Sequence, residues 1–62
     1  MRRRYDIEFD AARRLYVLHS VSEDDNRKQV ETYKDWASAD HARSTLNARL
    51  EASGELLPER RR

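Results

Sequence analysis

Residues 33–50 read YKDWASADHARSTLNARL, and where this stretch divides decides the fold. Up to Trp36 it alternates like the end of a strand. From Ser38 onward, Ala39, Ala42, Leu46 and Leu50 recur at the three- and four-residue spacing of a helix with one apolar stripe. Ser38 is placed to cap that helix, its hydroxyl accepting a backbone N–H two or three residues on, and Asp40 suits the positive end of the helix dipole. Gly54, the only glycine, follows the last periodic residue and marks a C-terminal cap. The spacing predicts a helix over 38–53, with Ala42, Leu46 and Leu50 turned to a core and Arg43, Asn47 and Glu51 to water.

Working back toward the N-terminus, VETYKDW (30–36) sets Val30, Thr32, Lys34 and Trp36 against Glu31, Tyr33 and Asp35, which predicts a third strand. Lys34 on the apolar side signals a bulge or an early end. Trp36, the largest apolar side chain, stands where strand hands over to helix and is expected to anchor the core. YDIEF (5–9) alternates strictly, Tyr5, Ile7 and Phe9 against Asp6 and Glu8. RLYVLHSV (14–21) is rich in β-branched and aromatic residues, with Leu15, Val17, His19 and Val21 sharing one face and Tyr16, Leu18 and Ser20 the other. DAAR (10–13) joins these runs into a hairpin, and the Asp10 carboxylate is placed to bond backbone N–H groups about two residues on. SEDDNRKQ (22–29) is polar and aperiodic, hence a loop.

The expected fold is α+β: a three-stranded antiparallel sheet, made of a β-hairpin plus a third strand, packed on one C-terminal helix. A hairpin and a third strand leave one greasy face, and this helix is the element available to cover it. The boundaries are a basic tail at 1–4, a single βββα domain over 5–57 and a second basic tail at 58–62. Leu56 and Leu57 fold back over the core edge and Pro58 stops regular structure. Both Arg-rich ends are expected to be disordered.

Sixty-two residues allow one small core, worth about 3 to 5 kcal/mol, so a partner or a homodimer contact would add needed stability. The net charge of +1 hides an uneven distribution. Without Arg2, Arg3, Arg4, Arg60, Arg61 and Arg62, residues 5–59 carry seven basic against twelve acidic groups, a net of about −5. There is no cysteine, which excludes a disulfide framework and thiolate ligation. LYVLHSV is far shorter than the roughly 20 residues of a membrane span, and MRRRYDIEF lacks the apolar core of a signal peptide. The expectation is a cytoplasmic protein that does not enter the membrane.

Candidate chemistry is sparse. His19 and His41 have no second His or Cys a turn away, so no metal-ligand spacing arises. His19 reads as a partly buried strand residue and His41 as a solvent-facing helix residue. EDDN (23–26) lacks the spaced oxygens and distal glutamate of an EF-hand loop. Ser20, Ser22 and Asp24 do not form a triad by spacing, and so small a chain has little room for a pocket of a few hundred Å³. No enzyme activity, metal or cofactor is expected.

Trp36 ending a third strand, Ser38 as a cap, and then Ala42 and Leu46 in an Ala-x-x-x-Leu helix resemble the sheet-plus-helix of integrase arm-binding domains and of small phage-encoded proteins, over roughly residues 5–53. These are packing positions, so the resemblance implies fold more than function. With the strand phases above, the outward sheet face would show Asp6, Glu8, Glu31 and Asp35 around Tyr16, Leu18 and Tyr33. Such a face suits a protein or ribonucleoprotein partner with a basic surface. It opposes the phosphate contact that an integrase-arm sheet would make. The resulting expectation is a non-enzymatic macromolecule-binding module, similar to the anti-CRISPR-like inhibitors that phages and mobile elements direct at nucleic-acid-handling host machinery. The alternative is a small DNA- or RNA-binding accessory protein using Arg2, Arg3, Arg4, Arg60, Arg61 and Arg62, with Arg13, Arg14, Arg43 and Arg49 as further contacts. A homodimerising structural protein is the third reading.

Overall fold

Apolar and acidic residues alternate from Tyr5 to Phe9, so this segment can bury one edge-on row and wet the other. In the computed structural model, which describes residues 2–58, it forms the middle of β1 (Arg3–Asp10). β2 (Leu15–Ser22), β3 (Arg27–Tyr33) and α1 (Trp36–Ala52) follow. The sheet order is β1-β2-β3, antiparallel throughout, as the sequence predicts.

Asp10 closes the β1–β2 loop. Its Oδ1 accepts from the backbone N–H groups of Ala12 (3.1 Å) and Arg13 (3.2 Å), and its Oδ2 accepts from Arg13 Nε (2.7 Å). Arg14 takes the left-handed conformation at φ 55 that returns the chain to Leu15. This turn fixes the register, pairing Tyr5 with Ser20, Ile7 with Leu18 and Phe9 with Tyr16. Directly paired residues share a face. Tyr16 and Leu18 therefore lie beside Ile7 and Phe9, while Val17 and His19 lie beside Glu8 and Asp6.

The helix covers the first of these faces, where Leu18 is 1% exposed and Tyr16 meets Trp36 at the start of α1. Ala39 and Leu50 are buried on the helix side. The expected phase of β2 is thereby reversed. Central strands are apolar on both faces, so the periodicity of RLYVLHSV could not choose between them; the register with β1 does. On the open face Val21 is also 1% exposed. It pairs with Arg4 on one side and Arg27 on the other.

β3 starts three residues before its expected position and ends at Tyr33. A bulge lies within it: Leu18 pairs with Glu31 but His19 with Gln29, leaving Val30 as the extra residue. The irregularity hinted at by Lys34 sits four residues earlier. After Tyr33 the chain turns into α1, whose N-cap is Asp35 and not Ser38. The Asp35 carboxylate accepts from the Ser38 backbone N–H (2.8 Å) and from the Ser38 hydroxyl (3.0 Å). The helix ends as expected at Gly54, φ 76. Gly54 N–H bonds Glu51 O and Glu55 N–H bonds Leu50 O, the two hydrogen bonds of a Schellman motif.

Two devices close the outer edge of β1. Arg3 donates to Glu55 O (3.0 Å) and accepts from Leu57 N–H (2.8 Å), a parallel bridge to the returning chain around Leu56. Two residues on, Asn47 of α1 accepts from Tyr5 N–H at Oδ1 (2.8 Å) and donates from Nδ2 to Tyr5 O (3.1 Å). Asn47 is thus a docking residue and not the water-facing one its helical phase suggested. Arg3 and Arg4 belong to β1 and not to a disordered tail. The expected disorder of 59–62 lies outside the described residues.

Candidate binding surface

One end of the molecule carries a row of aromatic rings. Phe9 and Tyr16, opposite each other on β1 and β2, have centroids 5.1 Å apart at an interplanar angle of 50°. Tyr16 meets Trp36 edge-on at 5.8 Å and 68°. Tyr33 pairs with Tyr16 across the sheet, extending the row to β3. Arg43, one helical turn pair beyond Trp36, places its Cζ 5.8 Å from the Trp36 ring and bonds Asp40. Trp36 is 50% and Phe9 53% exposed. Trp36 is therefore not the core anchor expected of it: α1 begins at this residue, so its ring lies over the rim of the sheet and not between the layers.

The open face of the sheet is occupied by charges that satisfy one another. Arg4 Nε bonds Asp6 Oδ2 at 3.1 Å. Arg27 NH1 lies 3.0 Å from His19 Nε2 and 3.8 Å from Glu8 Oε2. Since guanidinium only donates, Nε2 accepts, and the imidazole hydrogen sits on Nδ1, 4.0 Å from Glu8 Oε2. His19 is 6% exposed, more buried than its strand position suggested.

The seven residues expected to form one acidic and aromatic face do not do so. Tyr16, Leu18, Glu31 and Tyr33 lie on the helix side, and Leu18 is core. Asp6 and Glu8 lie on the opposite face within the ion network, and Asp35 caps α1. The phases of β2 and β3, both reversed from expectation, are the cause. Among the nucleic-acid candidates, Arg3 and Arg4 stand on β1, Arg13 is held by Asp10, Arg14 forms the turn, and Arg49 is in the last turn of α1. Arg2 contributes its backbone N–H to Glu23. Arg60, Arg61 and Arg62 lie outside the described residues. The comparisons with known protein families, curated proteins and solved structures return no match.

Three carboxylates are held below the usual Asp range. Asp10 is lowered mainly by the Arg13 side chain, Asp24 by the Ser22 hydroxyl, and Asp35 by the Ser38 backbone N–H and hydroxyl. Each is tied to a turn or a cap, so these are charges spent on shaping loops. Among the described residues no group of three or more His, Asp or Glu could hold a metal ion, and no helix is long and apolar enough to cross a membrane. Sequence reasoning missed Phe9 and Trp36 as exposed surface. The only available signal was their position at the last pair but one of β1 and the first residue of α1, where the covering layer begins.

Proposed function

We propose that this chain is a non-enzymatic binding module that occupies a surface of another protein through its aromatic end. The observation that carries this reading is the contiguous row Phe9–Tyr16–Trp36, two members of which are half-exposed although the core is short of apolar area. Rigid aromatic rings supply contact area at low entropic cost and dominate interface energetics. Glu31, which shares the face of Tyr16 and Tyr33, favours a basic group on the partner. Small size and an exposed aromatic surface also fit an inhibitor encoded by a phage or mobile element, anti-CRISPR-like, directed at nucleic-acid-handling host machinery. That role is the analogy of size and surface, and the partner class is what the rings support.

The test compares capture from host lysate by the wild-type chain and by the Phe9→Ser/Trp36→Ser variant, with and without nuclease. Both proteins are first checked for the same circular dichroism spectrum. A protein retained by the wild type, lost by the variant and indifferent to nuclease is the expected result. Equal retention by both, or capture abolished by nuclease, contradicts the reading.

A further inference from the structure

The end of the sheet opposite the aromatic row gathers cations from strands far apart in sequence. Arg3 on β1 pairs with Ser22, and on β3 Lys28 pairs with Ser20 and Arg27 with Val21. Together with Asn26 and Glu55 they line an open groove of about 700 Å³. We propose that this groove binds the phosphodiester backbone of a nucleic acid strand.

Four observations support this. First, the side chains bordering the groove include three cations and one carboxylate, whereas the described residues 2–58 as a whole hold ten basic and eleven acidic groups. Second, among the described residues neither Arg3 nor Lys28 takes part in an ion pair, so their charge is available to a ligand. Third, Arg3 projects from a fixed backbone, held on one side by β2 and on the other by Glu55 O and Leu57 N–H. A guanidinium on a rigid strand loses little freedom when it forks onto a phosphate. Fourth, Ser20 and Asn26 line the same groove and offer neutral donors of the kind that position phosphate oxygens.

The acidic loop beside the groove is partly occupied. Asp24 is bonded by the Ser22 hydroxyl and Asn26 Nδ2, and Glu23 by the backbone of Arg2. The Arg27 guanidinium is engaged by His19 and Glu8, so Arg3 and Lys28 carry the site and Arg27 only borders it. Glu55 on the wall opposes an anion and sets the sign of a decisive variant. This surface is separate from the aromatic row, so either assignment can fail without the other.

The experiment is fluorescence anisotropy of a labelled 12-nucleotide single strand with the full chain, at 50 and 200 mM salt. Two to three phosphate contacts give a log–log salt slope of roughly −1.5 to −2, and hence roughly a ten-fold loss of affinity across that range. Arg3→Ala/Lys28→Ala is expected to weaken binding at low salt by ten-fold or more and to flatten the slope, and Glu55→Gln to tighten binding. Lys28→Gln, at an exposed position of an edge strand, gives the same direction of change should the double variant not fold. Binding unchanged in these variants, or weakened by Glu55→Gln, overturns the assignment. Displacement of the strand by polyglutamate at equal charge, or by inorganic phosphate at low millimolar concentration, overturns it in favour of a general anion site.

Discussion

At position 47 a side-chain amide does for Tyr5 what a neighbouring strand would do, accepting from its N–H and donating to its C=O. Asn47→Ala leaves both groups of a half-buried backbone unit unpaired and should cost about 1 to 3 kcal/mol in urea unfolding. Asn47→Asp can still accept from the N–H but turns a negative oxygen toward the Tyr5 carbonyl. That repulsion raises the new carboxyl's folded pKa above its unfolded value near 3.9. The variant's deficit should therefore be smallest in acid, where a protonated carboxyl donates to the carbonyl, and should grow as pH rises to 7. An Asn47→Asp protein as stable as wild type at pH 7 would rule out this docking role. Nothing in the helical pattern distinguished Asn47 from a wetted residue, because a hydrogen bond to a strand edge leaves no mark in hydrophobic periodicity.

The elements themselves were legible, since each carries its own local signal: alternation in β1, β-branched residues in β2, and the 39-42-46-50 stripe with Gly54 for α1. What failed were phase and boundary, which depend on neighbours. The helix starts at Trp36 because the Asp35 carboxylate reaches the Ser38 N–H, and the same two residues could be read with the cap at either. The Asp35 pKa is lowered, first by the Ser38 backbone N–H and then by its hydroxyl. A depressed carboxylate contributes stability that is present above its unfolded pKa and lost as pH falls through the folded one. The melting temperature of wild type should thus drop below pH about 4, and Asp35→Asn, which keeps an accepting oxygen without the charge, should show a shallower drop. An identical pH profile for the two proteins would deny the cap its charge. At the other end, a Cβ on Gly54 would meet nothing within 4 Å, so Gly54→Ala is opposed by its φ of 76 alone. A cost of about 1 kcal/mol is expected, partly restored by Asn, which tolerates this conformation better. A neutral or stabilising Gly54→Ala would show that the Schellman geometry is not kept in solution.

For the whole molecule, the scarcity of buried area decides which side chains matter. Leu18 sits at the centre of three strands and under the helix at 1% exposure, whereas Trp36 is half-exposed. Leu18→Ala should cost about 2 to 5 kcal/mol, against a reserve of only about 3 to 5 kcal/mol for a core this small. Trp36→Ala should cost distinctly less. Thermal melts of the two variants check the ranking, and a larger loss for Trp36→Ala would restore it as the anchor. The candidate surface was the least legible feature, because exposure belongs to the assembled layers: the sequence named Tyr16 and Tyr33 but placed them with Asp6 and Glu8, which the register sends to the other side. The bridge between Arg3 and the chain around Leu56 has a consequence in time as well as in space. During synthesis β1 emerges from the ribosome first, yet its outer edge waits for Asn47 and then for Glu55 and Leu57 before its backbone groups are matched. Until those residues emerge, the nascent chain offers the edge of β1 as well as that of β3 to any neighbour, so interrupted translation should yield products that pair with one another more readily than a chain carrying residues 47–57.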